Sequence, residues 1–102
     1  IVGVQTHAPA IGIELRPPVP NPFVSSTTIS FTMPFDARVE MGVFDVKGRL
    51  VHELVDRHLP AGHHFVSWNG ANAVGSPVPA GIYFYRLRVN GVNLTGRVLY
   101  LH

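Results

Sequence analysis

The run Ile82-Tyr83-Phe84-Tyr85-Arg86-Leu87-Arg88-Val89 constrains this chain more than any other stretch. Tyr83, Tyr85, Leu87 and Val89 alternate with Phe84, Arg86 and Arg88, a period of two with a basic opposite face. Successive side chains of a strand point to opposite sides of a sheet, so this is the pattern of a half-buried β-strand. A turn rich in Gly, Asn and Pro joins it to Trp68, the one tryptophan. A buried Trp or Tyr removes about 150–250 Å² from water, roughly 4–6 kcal/mol gross at ~25 cal/mol per Å². Trp68, Tyr83 and Tyr85 are therefore expected at the centre of the core, with Trp68 to Val89 forming a hairpin.

The other segments read in the same way. Residues 1–10 have small side chains and no strong period, and are expected to be a linker or an edge segment; residues 11–102 are expected to form a single domain. Ile11, Ile13 and Leu15 alternate with Gly12, Glu14 and Arg16 as a short first strand. Pro17, Pro18, Pro20 and Pro22 follow. Proline fixes φ and lacks an N–H, so this segment is expected to run along a sheet edge, with Phe23 entering the core as a plug. Thr27–Met33 places Ile29, Phe31 and Met33 on one face, and Val39, Met41 and Val43 alternate with Arg38, Glu40 and Gly42. Asp45-Val46-Lys47-Gly48 is a tight turn that needs Gly48 at positive φ. His64, Val66 and Trp68 alternate with His63, Phe65 and Ser67; Asn90-Gly91 signals a two-residue turn, and Leu94 to Leu101 forms the closing strand.

Leu50 to Leu59 is ambiguous. Apolar residues at 50, 51, 54, 55 and 59 fit one helix face better than strict alternation. The short length, Gly48 ahead and Pro60-Ala61-Gly62 behind favour a strand, and a strand is expected. About seven short strands joined by Gly, Pro and Asn turns define an all-β chain, an antiparallel immunoglobulin-like (fibronectin III-like) β-sandwich.

At 102 residues there is room for one core. A net charge of +2 with scattered arginines gives no nucleic-acid footprint, and no apolar run is long enough to insert in a membrane. Without cysteine there is neither a disulfide framework nor a thiolate metal site. With no Met at position 1 and no leader-like segment, the sequence is expected to be a piece of a longer chain. His63 and His64 are neighbours on a strand and face opposite ways; His52 and His64 share a face only if their strands pair, with no evident third ligand. No metal and no cofactor is expected. There is no Gly-x-Ser-x-Gly elbow, and Asp36, Glu40, Asp45, Glu53 and Asp56 are tied to strands and turns, so no enzyme is expected. Gly70, Gly75 and Gly81 precede no helix that would complete a phosphate cradle. Trp68, Tyr83 and Tyr85 suit a sugar-stacking platform, but their alternation with polar residues favours core packing. Arg86 and Arg88 share one face, either solvated or opposite an acidic partner.

Several segments taken together resemble the FlgD immunoglobulin-like domain and the type IX secretion C-terminal sorting domain. They are Pro20-Asn21-Pro22-Phe23, Thr28-Ile29-Ser30-Phe31, Val43 to Val51, Ala61-Gly62-His63-His64, Trp68-Asn69-Gly70, Val78 to Leu87, and Arg97 before the apolar end. The resemblance spans about Leu15 to Leu101. Asn69 and Asn72 stand where the pattern often has acids, which removes the charge a calcium site in that loop would need.

The resemblance implies a non-catalytic C-terminal sorting or surface-attachment domain of a secreted bacterial multidomain protein. Its implied partners are the outer-membrane secretion or attachment machinery and the upstream domains of the same polypeptide. Gly81, Tyr83 and Arg97 are the positions it implies for partner recognition. Two alternatives stay open: a structural spacer or assembly module of the hook-cap kind, and a glycan-binding accessory domain of a secreted hydrolase that meets cell-surface polysaccharide.

Overall fold

The computed structural model describes residues 12–102, so the linker or edge segment expected at residues 1–10 lies outside the described residues. Seven strands are found there: β1 (Glu14–Leu15), β2 (Thr27–Met33), β3 (Ala37–Phe44), β4 (Leu50–Leu59), β5 (Gly62–Trp68), β6 (Gly81–Val89) and β7 (Val92–Tyr100). They form two antiparallel sheets, one ordered β1-β2-β5 and the other β4-β3-β6-β7. This is the expected immunoglobulin-like sandwich.

The period-two pattern sets what lies between the sheets. Ile29, Phe31 and Met33 of β2 face Val39, Met41 and Val43 of β3 and Tyr83, Tyr85, Leu87 and Val89 of β6, all buried. The filling has two parts. One is mostly aliphatic around Ile29, Met41 and Leu87, and includes Phe31 and Tyr85. The other is aromatic, built from Phe23, Trp68, Tyr83 and Tyr100 with Val43 and Val98.

The stretch from Trp68 to Val89 is not a hairpin. Trp68 ends β5 in the three-stranded sheet, whereas β6 lies in the four-stranded one, so residues 69–80 cross between sheets. Trp68 and Tyr83 still meet edge to face at 5.2 Å, but across the sandwich, and Tyr85 packs in the aliphatic half. Asn90-Gly91 is the expected two-residue turn between the paired Val89 and Val92, with φ of 51° and 80°. Two successive positive φ values match the twist of the flanking strands.

Residues 50–59 are a strand, and the structure explains their helix-like spacing. Met41 pairs with Val55 but Gly42 with Glu53, and Val43 pairs with His52 but Phe44 with Leu50. Leu54 and Val51 are thus extra residues in two β-bulges. A bulge places two adjacent residues against one partner and breaks alternation. Leu54 joins Val55, and Val51 joins His52, on the side facing the core. An irregular strand has copied a helical period.

The proline segment behaves as a strap between the sheets. Val19 exchanges backbone bonds with Thr28 of β2, and Phe23 exchanges them with Leu99 and Leu101 beside β7. Pro22 has no N–H to offer that edge, and the side chain of Asn21 takes over. Its Oδ1 accepts the Leu99 N–H at 3.0 Å, and its Nδ2 donates to the Arg97 carbonyl. Phe23 is then carried inward, stacked on Tyr100 at 4.9 Å and edge-on to Trp68 at 5.5 Å.

Gly70 lets the crossing begin. Its φ is +76°, and a Cβ there would collide with the Tyr100 ring. Gly75 has φ +89° with open space around it. Gly75→Ala should cost about 1–2 kcal/mol, the left-handed backbone penalty alone. Gly70→Ala should cost about 2–5 kcal/mol, because displacing a packed ring adds roughly 1–3 kcal/mol to that penalty. Urea unfolding of both variants measures the difference.

Candidate functional site

The aromatic half of the core is the first place to look for chemistry. It is closed. Trp68 is 1% exposed, Tyr83 6% and Tyr85 4%, so no two of these rings form a sugar-stacking platform. Their polar ends are turned to structural use. Trp68 Nε1–H donates to the Ala71 carbonyl at 2.9 Å, and His52 Nδ1 meets the same oxygen at 3.0 Å. A carbonyl only accepts, so Nδ1 carries the proton. The Tyr83 hydroxyl donates to the Pro79 carbonyl at 2.6 Å, fixing the far end of the crossing. Burial raises the Tyr83 hydroxyl pKa above its ordinary value, reinforced by the nearby Asp45 charge, and burial alone raises that of Tyr85. Both hydroxyls stay protonated, and that of Tyr83 serves as the donor to Pro79.

Between the β3–β4 turn and the crossing lies a depression of about 350 Å³, bordered by Asp45, Arg49, Asn72 and Tyr83. Asp45 is its one carboxylate, and its oxygens are committed. Oδ1 accepts the N–H groups of Lys47 and Arg49, and Oδ2 accepts Arg49 Nε at 2.9 Å. The Arg49 backbone N–H is the main reason its pKa lies below the ordinary carboxylate value. Desolvation opposes that effect, and the Arg49 guanidinium and the Lys47 N–H assist it. Asn72 Oδ1 is likewise used, accepting from Val74 and Ser76 N–H. The Asn residues that replaced acids in this loop serve as turn builders.

The histidines separate. His63 meets the Thr32 hydroxyl at 2.9 Å on the outer face, while His64 meets the Pro60 carbonyl and stacks on Phe31 at 5.4 Å. His52 and His64 do not share a sheet, because β4 pairs with β3 and β5 with β2. Among the described residues no three His, Asp or Glu side chains converge as metal ligands.

The positions expected to meet a partner fall at one end of the β6–β7 hairpin. Gly81 pairs with Tyr100, Tyr83 with Val98 and Phe84 with Arg97. They do not share a face. Gly81 supplies a backbone turn at φ +150°, Tyr83 is inside, and Arg97 stands exposed on the outside. Arg97 borders a cavity of about 210 Å³ with Asn21, Ile82, Val98 and Leu99. On the same face Ile82 and Phe84 are partly exposed, and Arg86 lies 4.6 Å from the Phe44 ring centre. Arg97 is legible in the sequence and this cavity is not, because Asn21 is distant in the chain and only the strap brings it there.

The family model described as the FlgD Ig-like domain matches residues 21–93. FlgD from P. aeruginosa superposes with a TM-score of 0.57 at 20% identity, over 74% of this chain and 65% of that one. FlgD from Xanthomonas campestris, described for hook capping essential to flagellar assembly, gives 0.60 at 20% identity over 92% of this chain and 71% of that one. PorZ from Porphyromonas gingivalis, an essential bacterial surface component of the type-IX secretion system, gives 0.59 at 20% identity, over 98% of this chain but 13% of that one. At such identities the likeness is one of fold. This chain therefore spans less than two thirds of the P. aeruginosa protein and a small part of PorZ. No curated protein matches the sequence.

Two outcomes follow from this geometry. Trp68 fluorescence should be blue-shifted and unchanged by added polysaccharide; quenching on titration would contradict the closed core. Asp45, with its pKa lowered on folding, stabilises the fold above its unfolded pKa, and that contribution is lost as pH falls through the lower folded value. The melting temperatures of the wild type and of Asp45→Asn should therefore differ near neutrality and converge in acid.

Proposed function

This chain belongs to the FlgD Ig-like domain family, and from that premise we propose that it is an assembly module. On this reading it is a rigid, non-catalytic domain of a larger bacterial protein, working outside the cytoplasm, that gives neighbouring subunits a fixed surface. The observation that carries the reading is the family match across residues 21–93, which takes in β2 to β6 and the crossing between the sheets. The interior agrees with it. The aromatic side chains that would line a binding cleft are spent joining one sheet to the other, and the one carboxylate in the larger depression is held by its own turn.

A second reading, sorting or surface attachment by the type IX machinery, draws support from one observation. PorZ, a surface component of that system, shares the fold over 98% of this chain. Under this second reading it is the secretion machinery that recognises Gly81, Tyr83 and Arg97, with Gly81 and Tyr83 shaping the hairpin and Arg97 presenting the charge.

A reporter carrying a general secretion leader, fused ahead of this chain and expressed in a bacterium with a type IX pathway, separates the two. The assembly reading expects the reporter to stay in the periplasm and to cross-link to discrete protein partners. Delivery of the reporter to the surface or medium, abolished by Arg97→Ala, would replace it with sorting.

A further inference from the structure

The four edges of the two sheets are not equally protected. An open edge offers unpaired N–H and C=O groups to any extended chain, and proteins blunt such edges with bulges, charges on the inner side or covering segments. β4 has its two bulges, and it carries Arg57 opposite the buried Val39, on the side that faces the core. β1 is two residues long, and β5, which pairs with β2 alone, is an open edge without an arginine, lysine or carboxylate to select a charged partner. β7 is covered for only part of its length. Asn21 and Phe23 take the outward groups of Arg97, Leu99 and Leu101, and the strap contributes nothing beyond the Arg97 carbonyl. Ladder alternation points the amide groups of Asn93 and Thr95, and the Arg97 N–H, to the same side. Among the described residues none of these has a backbone partner. This half of the strand has no bulge, no proline and no inward charge.

Charge singles out this edge. All six acidic residues lie at or before Asp56, whereas the β6–β7 hairpin carries Arg86, Arg88 and Arg97 and no carboxylate. Away from it, Arg16 pairs with Glu14, Arg38 with Asp56 and Arg49 with Asp45, and Arg57, which has no ion pair among the described residues, shares β4 with Glu53 and Asp56. On the hairpin, Arg88 reaches Glu40 only at 3.8 Å, Arg86 rests on Phe44, and Arg97 has no ion pair among the described residues. The cavity of about 210 Å³ lies beside Arg97, where the strap stops. Strand addition takes affinity from main-chain bonds and selectivity from pockets for alternate side chains.

We propose that the open half of β7, Asn93–Arg97, accepts an extended acidic segment of another protein as an added strand. An apolar side chain of that segment fills the cavity bordered by Asn21, Ile82 and Leu99, and a neighbouring carboxylate meets Arg97. Arg86 and Arg88 add attraction at longer range. The chain's own residues 1–11 contain no Asp or Glu and leave the arginines unneutralised wherever they lie. The inference deepens the assembly reading by giving the partner's chemistry, and rests on that reading for the partner being a protein.

The probe is a labelled peptide, Glu-Val-Glu-Leu-Glu-Val-Thr, titrated into the full chain beside a version with Lys in place of Glu. The acidic peptide should bind and shift the amide resonances of Asn93, Thr95 and Arg97, while the lysine peptide should not. Thr95→Pro removes an outward N–H without breaking the ladder to β6, and should weaken binding roughly ten-fold or more, about 1.4 kcal/mol. Arg97→Glu should weaken the acidic peptide and admit the lysine one, a reversal that a merely destabilised variant does not give; melting curves confirm that each variant is folded. Absence of binding, unaltered binding to Thr95→Pro, or resonance shifts away from β7 would overturn the proposal. So would protection of the Asn93 and Thr95 amides in the free chain that disappears on removing residues 1–10. Failure here with the reporter still held in the periplasm and cross-linked would leave the assembly reading standing with another surface; export of the reporter removes that reading whatever the peptide does.

Discussion

The contact of Phe23, Trp68, Tyr83 and Tyr100 is the interaction on which the rest depends. With no cysteine, two stacked sheets are joined only by their connections and by what fills the space between them. These four rings come from the strap, β5, β6 and β7, so one cluster ties both sheets and the proline segment together. Edge-to-face and stacked pairs of this kind each add about 0.5–1.5 kcal/mol beyond the area they bury. The polar ends of Trp68 and Tyr83 bond to carbonyls of the crossing, so the loop is positioned by the core and the core is sealed by the loop.

Much of this is legible in the sequence alone. Strands β2, β3, β5 and β6 alternate cleanly because one face of each is buried, and a period of two survives wherever burial is one-sided. Phe23 as a plug followed from the prolines, which forbid a central strand. The turn at Asn90-Gly91 followed from the need for two positive φ angles.

Other features were hidden for physical reasons. The two bulges of β4 cannot be seen in composition, because an extra residue only acquires meaning opposite a partner strand. The assignment of β5 and β6 to different sheets depends on the crossing, whose glycines and asparagines would serve a hairpin loop as well. The surroundings of Arg97 depend on Asn21, brought there by a strap whose side-chain amide imitates a peptide group. Side chains standing in for backbone leave no periodic trace.

That imitation has a consequence for how the molecule is made. The strap leaves the start of the domain and is fastened to Leu99 and Leu101 near its other extreme, so the plug has no seat until the last strand exists. Contacts this distant in sequence are slow to close and form late. A ribosome must therefore deliver Tyr100 before Phe23 finds its place, and until then the nascent chain holds its largest greasy surfaces in the open.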